Sequence, residues 1–298
     1  MLMRAAIVSR FGGPEAIEIA EVPVPSPGVG QVRIRVAAAA LNPVDLAMRS
    51  GVFGGGTVGL GFDVVGTVDA VGGGTDRSVG DRVFGLRTGH HRPLGTHAEY
   101  VVLGAGAIAL APGSLDDIHA ATLPLNGLTA DQALDLLALR PGQTLLVTGA
   151  SGGVGAHAVE LGHHRGLRVT ALGSARSADL LRSRGANDFL PRGEQLPQAT
   201  FDGVLDAVVL GPAARAAVRS DGAYVGLWPG QQPSSERGIR VEAVSVRADG
   251  TRLAGLARLA DEGTLQARVE RAYPLAESAA AHTRLAEGGL GGRIVLVP

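Results

Sequence analysis

The chain contains no cysteine, which excludes disulfides and thiolate metal sites. One Trp, three Tyr and six Phe among 298 residues predict a core of small and aliphatic side chains. No apolar run reaches the ~18 residues of a membrane helix. The opening MLMRAAIVSRFGG is too short and too soon interrupted for a secretory apolar stretch. Neither sign of charge prevails; the net formal charge of −1 argues against a nucleic-acid or polyanion surface. These absences together predict a soluble, cytoplasmic protein. What is abundant is glycine, 45 residues of it, in a chain long enough for two domains.

Residues 144–155 read TLLVTGASGGVG and carry the most information. Leu145, Leu146 and Val147 suit a strand buried on both faces of a parallel sheet. Ala150, Gly152 and Gly155 occupy the three small-residue positions of the G-x-G-x-x-G/A dinucleotide fingerprint. The first is expected to make the tight turn, the second to admit a pyrophosphate, and the third to let a helix pack on the strand. The amides of that helix start, with Ser151, Gly153 and Val154 in the turn, then meet the phosphates with the positive end of the helix dipole. A second strand, LRVTAL at residues 167–172, completes the strand–turn–helix–strand context that separates this match from a chance glycine turn.

The residues after that second strand address the choice of cofactor. An NAD site places an Asp or Glu there to accept from the ribose hydroxyls. This chain has Gly173, Ser174, Ala175, Arg176 and Ser177, with no carboxylate before Asp179. An arginine and two hydroxyls suit a 2′-phosphate, which a carboxylate would repel, so NADPH is favoured over NADH. A competing reading makes Ser174 a helix cap and Arg176 a solvated first-turn residue.

Elsewhere the first hundred or so residues read as strands, at 4–8, 17–22, 32–38, 63–71, 81–85 and 97–102, with a short helix from Pro43. From about Asp116 helices (120–139, 157–165, 175–184, 212–219) alternate with strands near 144, 167, 187, 203 and 223, which predicts a doubly wound parallel sheet. A helix over 276–287 and a strand over 293–297 close the chain. The fold class is α/β, with a β-rich domain over 1–117, a dinucleotide-binding domain over 118–264 and a return to the first over 265–298.

At this level the chain resembles the medium-chain dehydrogenase/reductase superfamily, in its zinc-independent, quinone oxidoreductase-like branch. The resemblance rests on the order of several pieces: the opening through LNPVDLAMRSG, GLGFDVVGTVDAVG, GDRVFG, GTHAEYVV, LPLNGLTADQAL, TGASGGVG, RGAN and GGRIVLVP. It implies a GroES-like catalytic domain, split in sequence around a Rossmann domain, and a homodimer. Zinc-dependent members have Cys where Asn42 stands and His in the segment that here reads Gly61-Phe62-Asp63, so no metal is expected. The eight histidines are scattered, and a surface position is expected for them.

The resemblance further implies site residues. Asn42, Asp45 and Arg49 match N-x-x-D-x-x-x-R, with Asn42 donating to the substrate oxygen or a cofactor ribose. Asp45 and Arg49, four apart, read equally as a helix-bracing ion pair. Phe53 stands where many relatives have Tyr, and can enclose an acceptor but not protonate it. Asp63 replaces a Glu and either contacts the site or braces it. Asn126, Gly127 and Thr129, with Leu227 and Trp228, are placed at the nicotinamide end, and Arg293 either at a cofactor phosphate or in solvent. Trp228 reads equally as an ordinary core aromatic. The loops 52–59 and 87–95 are expected to shape the acceptor pocket, and 231–238 to be a mobile loop. The expected activity is NADPH-dependent hydride transfer to a quinone or similar conjugated carbonyl. The alternatives are an enoyl or 2-alkenal reductase and a catalytically silent NADPH-binding regulator.

Overall fold

The structure, a computed structural model, describes every residue from Met1 to Pro298. By contact it divides into two compact units. The first comprises Met1–Leu125, Arg247–Gly263 and Ala267–Pro298; the second comprises Asn126–Val246 and Thr264–Gln266.

The chain opens with strands β1 (Leu2–Val8), β2 (Glu18–Pro23) and β3 (Gln31–Leu41), then helix α1 (Pro43–Arg49). Strands β4 (Val58–Gly59), β5 (Asp63–Val71), β6 (Arg82–Leu86), β7 (Tyr100–Gly104) and β8 (Ile108–Leu110) follow. β3 shows how sequence becomes sheet: Val32, Ile34 and Val36 alternate inward while Gln31 and Arg35 face water. Those three side chains pack with Val64, Val68, Val83, Val101, Leu103 and Ile108 into an aliphatic core with no ring in it. The sparse aromatics therefore impose no penalty; β-branched side chains fill the space.

Helix α2 (Asp117–Ala120) leads to α3 (Pro124–Leu137), where 120–139 reads as one helix from sequence. Pro124 is the reason: a proline fits a helix's first turn but breaks its interior. In the second unit come β9 (Thr144–Thr148), α4 (Gly153–His164), β10 (Arg168–Gly173), α5 (Ala178–Ser183) and β11 (Asp188–Pro191). They are followed by β12 (Phe201–Asp206), α6 (Pro212–Ala216), β13 (Val218–Gly226) and β14 (Arg240–Ala243). All six strands run parallel in the order β11-β10-β9-β12-β13-β14, the doubly wound arrangement whose strand order reverses between β9 and β12. Arg219, expected in a helix, lies in β13, because the buried run Ala223, Tyr224 and Val225 draws this segment into the sheet.

The chain then adds α7 (Gly250–Asp261), β15 (Val269–Pro274), α8 (Ser278–Glu287) and β16 (Arg293–Val297). β16 pairs with β3, so the closing strand completes the sheet that the opening strands began. This corrects the expected boundary at 264. α7 belongs to the first unit, where it packs on β8 and buries Leu253, Leu256, Ala257 and Ala260 at helical spacing. Asp249 caps it by accepting from the Arg252 amide at 3.0 Å. No helix is long and apolar enough to cross a membrane.

The histidines also depart from expectation. His97, His157 and His282 are buried. His157 Nδ1 meets Glu160 Oε2 at 2.9 Å, and the other Glu160 oxygen accepts from Arg184 at 2.6 Å, with both charged side chains 1% exposed. Removing one partner from such a pair strands the other charge in a dry interior, at a cost of about 3–5 kcal/mol. Arg184→Ala should therefore lower the unfolding free energy by that amount in a denaturant titration, while the double variant Glu160→Met/Arg184→Met regains most of it. A single variant with unchanged midpoint would show the pair to be idle.

Candidate active site

In the first unit four segments far apart in sequence converge on one buried carboxylate. Asp63, at the head of β5 and without solvent exposure, accepts from Asn42 Nδ2 at 2.6 Å and from the Leu125 amide at 2.6 Å. Asn42 in turn presents Oδ1 to Arg293, whose Nη2 also donates to the Leu41 carbonyl at 2.7 Å. Burial pushes the Asp63 carboxyl up to about 7. The Leu125 amide, Asn42 and Arg293 oppose that rise without cancelling it, and Asp45 adds to it.

These contacts settle what the polar side chains do. Both ends of the Asn42 amide are engaged, with Nδ2 also 3.3 Å from the Ala40 carbonyl. Asp45 does not pair with Arg49. One of its oxygens accepts from the Asn42 amide at 2.9 Å, closing a capping box on α1, and the other accepts from the Gly61 amide at 2.8 Å. Nε and Nη1 of Arg49 have no hydrogen-bond partner. Arg293, read from sequence as a phosphate contact or a solvated residue, spends its Nη2 on Asn42 and Leu41 instead. Phe53 stacks on His90 with centroids 3.8 Å apart and planes 9° apart, which joins the loops 52–59 and 87–95. Arg92 is buried, its guanidinium 4.2 Å from the centre of the Phe62 ring.

In the second unit the glycine turn differs from expectation by one residue. Gly149, not Ala150, takes the left-handed conformation, with φ 59°. Ala150 is buried, and its amide donates to the Leu172 carbonyl at 3.0 Å, holding the turn to β10. Gly155 is required by closeness: a Cβ there would stand 2.3 Å from the Gly149 carbonyl oxygen. Gly152 caps α4 without a side chain, so the first amides of the helix, from Gly153, Val154 and Gly155, keep no side-chain partner from the cap. Ser151 lies in the same turn.

A cavity of about 610 Å³ opens beside this turn. Its lining includes Gly149, Leu172, Gly173, Val208 and Leu210, hence the carboxyl ends of β9, β10 and β12 at the strand-order reversal. Asp206, at the end of β12, ties that strand to β9 and β13. It accepts from Thr148 Oγ1 at 2.6 Å, the Tyr224 hydroxyl at 2.8 Å and the Gly211 amide at 2.8 Å. Ser174 and Ser177 share a hydroxyl–hydroxyl bond at 2.8 Å, and Arg176 is exposed on the turn Ala175–Ser177. Neither Ser174 nor Arg176 lines the cavity; Arg192 does, with Glu194. Sequence reasoning missed Arg192. β11 pairs with β10 so that Pro191 faces Gly173, and the Arg192 amide donates to the Gly173 carbonyl at 2.7 Å. Asn126 and Thr129 are buried in the first turns of α3, and Leu227 and Trp228 are half-buried beyond β13. The segment 231–238 is held by Arg215, which pairs with Glu236 at 2.8 Å and donates to the Ser234 carbonyl at 2.6 Å.

Residues 28–113 match the alcohol dehydrogenase GroES-like domain, and residues 176–296 match the zinc-binding dehydrogenase domain. A quinone oxidoreductase of Pseudomonas aeruginosa is 31% identical, with 97% of each chain covered. A chloroplastic NADPH-dependent alkenal/one oxidoreductase of Arabidopsis thaliana is 30% identical over 99% of this chain and 80% of its own. This chain belongs to the quinone oxidoreductase-like branch of the medium-chain dehydrogenase/reductase superfamily. The solved quinone oxidoreductase of Coxiella burnetii superposes with a TM-score of 0.87 at 26% identity, covering 100% of both chains.

Membership of the superfamily implies a nicotinamide cofactor, and the turn at 149–155 with its adjoining cavity fits the phosphates and adenosine of one. The dehydrogenase domain's name implies zinc, and the donors present do not fit it. At Asn42 they are one amide, one carboxylate and a guanidinium, itself a cation, and no group of three His, Cys, Asp or Glu side chains gathers to hold a metal ion.

The raised Asp63 carboxyl has a consequence for pH. Between the ordinary value of 3.8 and about 7 the folded chain keeps a proton that the unfolded chain has lost. That stabilisation is complete below the lower value and disappears as pH rises through the upper one. An infrared difference spectrum between pH 6 and pH 8 should show a buried carboxylic acid band vanish, and Asp63→Asn should lack it. No change in that band across the interval would mean that the carboxyl does not titrate there.

Proposed function

We propose that this chain is an NADPH-dependent, zinc-free reductase of quinones and similar conjugated carbonyl acceptors. The observation that carries the cofactor choice is the rim of the cavity. No carboxylate follows β10 before Asp179, and Arg192 enters the lining beside Gly173. A guanidinium there suits a 2′-phosphate bidentately. Glu194 in the same lining favours the competing NADH reading, since a carboxylate accepts from ribose hydroxyls and repels phosphate.

Bound NADPH supplies a hydride. An acceptor whose negative charge spreads onto a carbonyl oxygen needs no metal to polarise it, and a quinone that takes up a hydride and one proton becomes a hydroquinone. The protein's part is to hold, orient and exclude water. The turn from Gly149 to Gly155 binds the pyrophosphate by backbone amides, and Asp206 keeps the surrounding strand ends in place. Phe53, having no proton to give, leaves water as the proton source for a quinone. The names of the relatives support both quinone and enone acceptors. Reduction of an alkenal or enone is therefore the second reading.

The deciding experiment follows nicotinamide fluorescence while NADPH and NADH are titrated in, then records oxidation by 1,4-benzoquinone and by an enone. NADPH should bind more tightly, with faster turnover of the quinone; faster turnover of the enone would select the second reading. Arg192→Ala should weaken NADPH at least about tenfold, the scale of one lost charge-assisted contact, and NADH little. Equal losses for both nucleotides would remove Arg192 from the 2′-phosphate, and Arg176→Ala then tests the alternative arginine. Binding without turnover of any acceptor would favour a regulator.

A further inference from the structure

The two loops of the first unit, 52–59 and 87–95, contain a charge imbalance that the reductase reading leaves unused. Arg92 is 6% exposed and lies over the Phe62 ring, donating from Nη2 to the Gly61 carbonyl. Its Nε and Nη1 are buried with no hydrogen-bond partner. Arg87 donates from Nη1 to the Val102 carbonyl at 3.0 Å, and its buried Nε also has no partner.

No carboxylate pairs with either arginine. Asp45 is the acid whose field reaches Arg92, and its two oxygens already serve the Asn42 and Gly61 amides. The neighbouring imidazoles do not compensate: burial and the charge of Arg92 hold His90 below its ordinary range, so it brings no negative charge and little positive. Two like charges at close quarters with idle N–H groups are costly unless an anion joins them. Flat surfaces stand beside the pair. Phe53 and His90 are stacked, and Phe62 meets His90 edge-on at 6.1 Å.

We propose that the physiological acceptor is a planar conjugated carbonyl compound bearing a carboxylate or equivalent anionic group, which Arg87 and Arg92 bind beside the Phe53–His90–Phe62 stack. This rests on the acceptor-reduction reading and narrows its substrate class. Burial of the idle Arg92 nitrogens means that the anion enters only when the segments covering them part.

The test compares acceptors with and without an anionic group on a shared reactive frame. Trans-3-acetylacrylate and its methyl ester share one enone; 1,4-naphthoquinone-2-sulfonate and 1,4-naphthoquinone share one quinone frame. In each pair the anion should have a kcat/KM at least about tenfold higher, and Arg92→Gln and Arg87→Gln should each bring that ratio toward one. Arg92→Lys, which keeps the charge without the planar fork, should retain part of it. Calorimetric titration of the NADPH-loaded protein with 4-oxopentanoate and its methyl ester reads the same preference without turnover, and needs no variant to fold. Turnover of both members of a pair at equal kcat/KM, with equal affinity in calorimetry, overturns the anion site and leaves the reductase reading standing. Preferential binding of 4-oxopentanoate with no turnover of any acceptor supports the anion site and overturns the reductase reading instead.

Discussion

One buried carboxylate holds the catalytic unit together. Asp63 accepts from the Asn42 side chain at the end of β3 and from the Leu125 amide at the start of α3, while Arg293 of the closing strand reaches it through Asn42. Positions 42, 63, 125 and 293 are thus fixed by a few hydrogen bonds in a dry interior, where each is stronger than in water. The same dryness disfavours the ionised form, so the group that organises this unit is also pushed up to about 7.

The dinucleotide unit depends on a different constraint, the close approach of backbone to backbone. At Gly155 the neighbouring carbonyl leaves no room for a side chain, and at Gly149 the chain reverses in a conformation that glycine adopts at no cost. Asp206 then gathers Thr148, Tyr224 and Gly211, which ties β9, β12 and β13 together behind the cavity wall. A core this poor in aromatic residues relies on such polar clamps where rings would otherwise fill space, and Tyr224 serves as both.

Much of this was legible in the residues. The alternation in β3, the apolar run of β9 and the spacing of small residues after it are local patterns, and the elements formed where they were expected. The helix at 250–261 was not read, although Asp249 and the spacing of Leu253, Leu256, Ala257 and Ala260 are a local signal for it. Other departures have non-local causes. Asp45 and Arg49 are four apart on a helix, the spacing of an ion pair, yet Asp45 is drawn instead to amides at Asn42 and Gly61. His97 and His282, far apart in the chain, are buried against each other, with ring centroids 6.5 Å apart.

By itself the sequence determined the parallel sheet, the glycine turn, the absence of thiolate chemistry and the family, since each follows from residue type and spacing within a short window. The tertiary structure alone decided which arginine lines the cavity beside the glycine turn, because Arg192 and Gly173 become neighbours through pairing of β10 with β11. It alone decided that Asn42 and Arg293 answer to Asp63, and that Arg92, buried, and Arg87, half-buried, lie without a paired carboxylate. The reason is common to all of these. A side chain's partner and its dielectric surroundings are set by segments distant in the chain, and no local pattern records them.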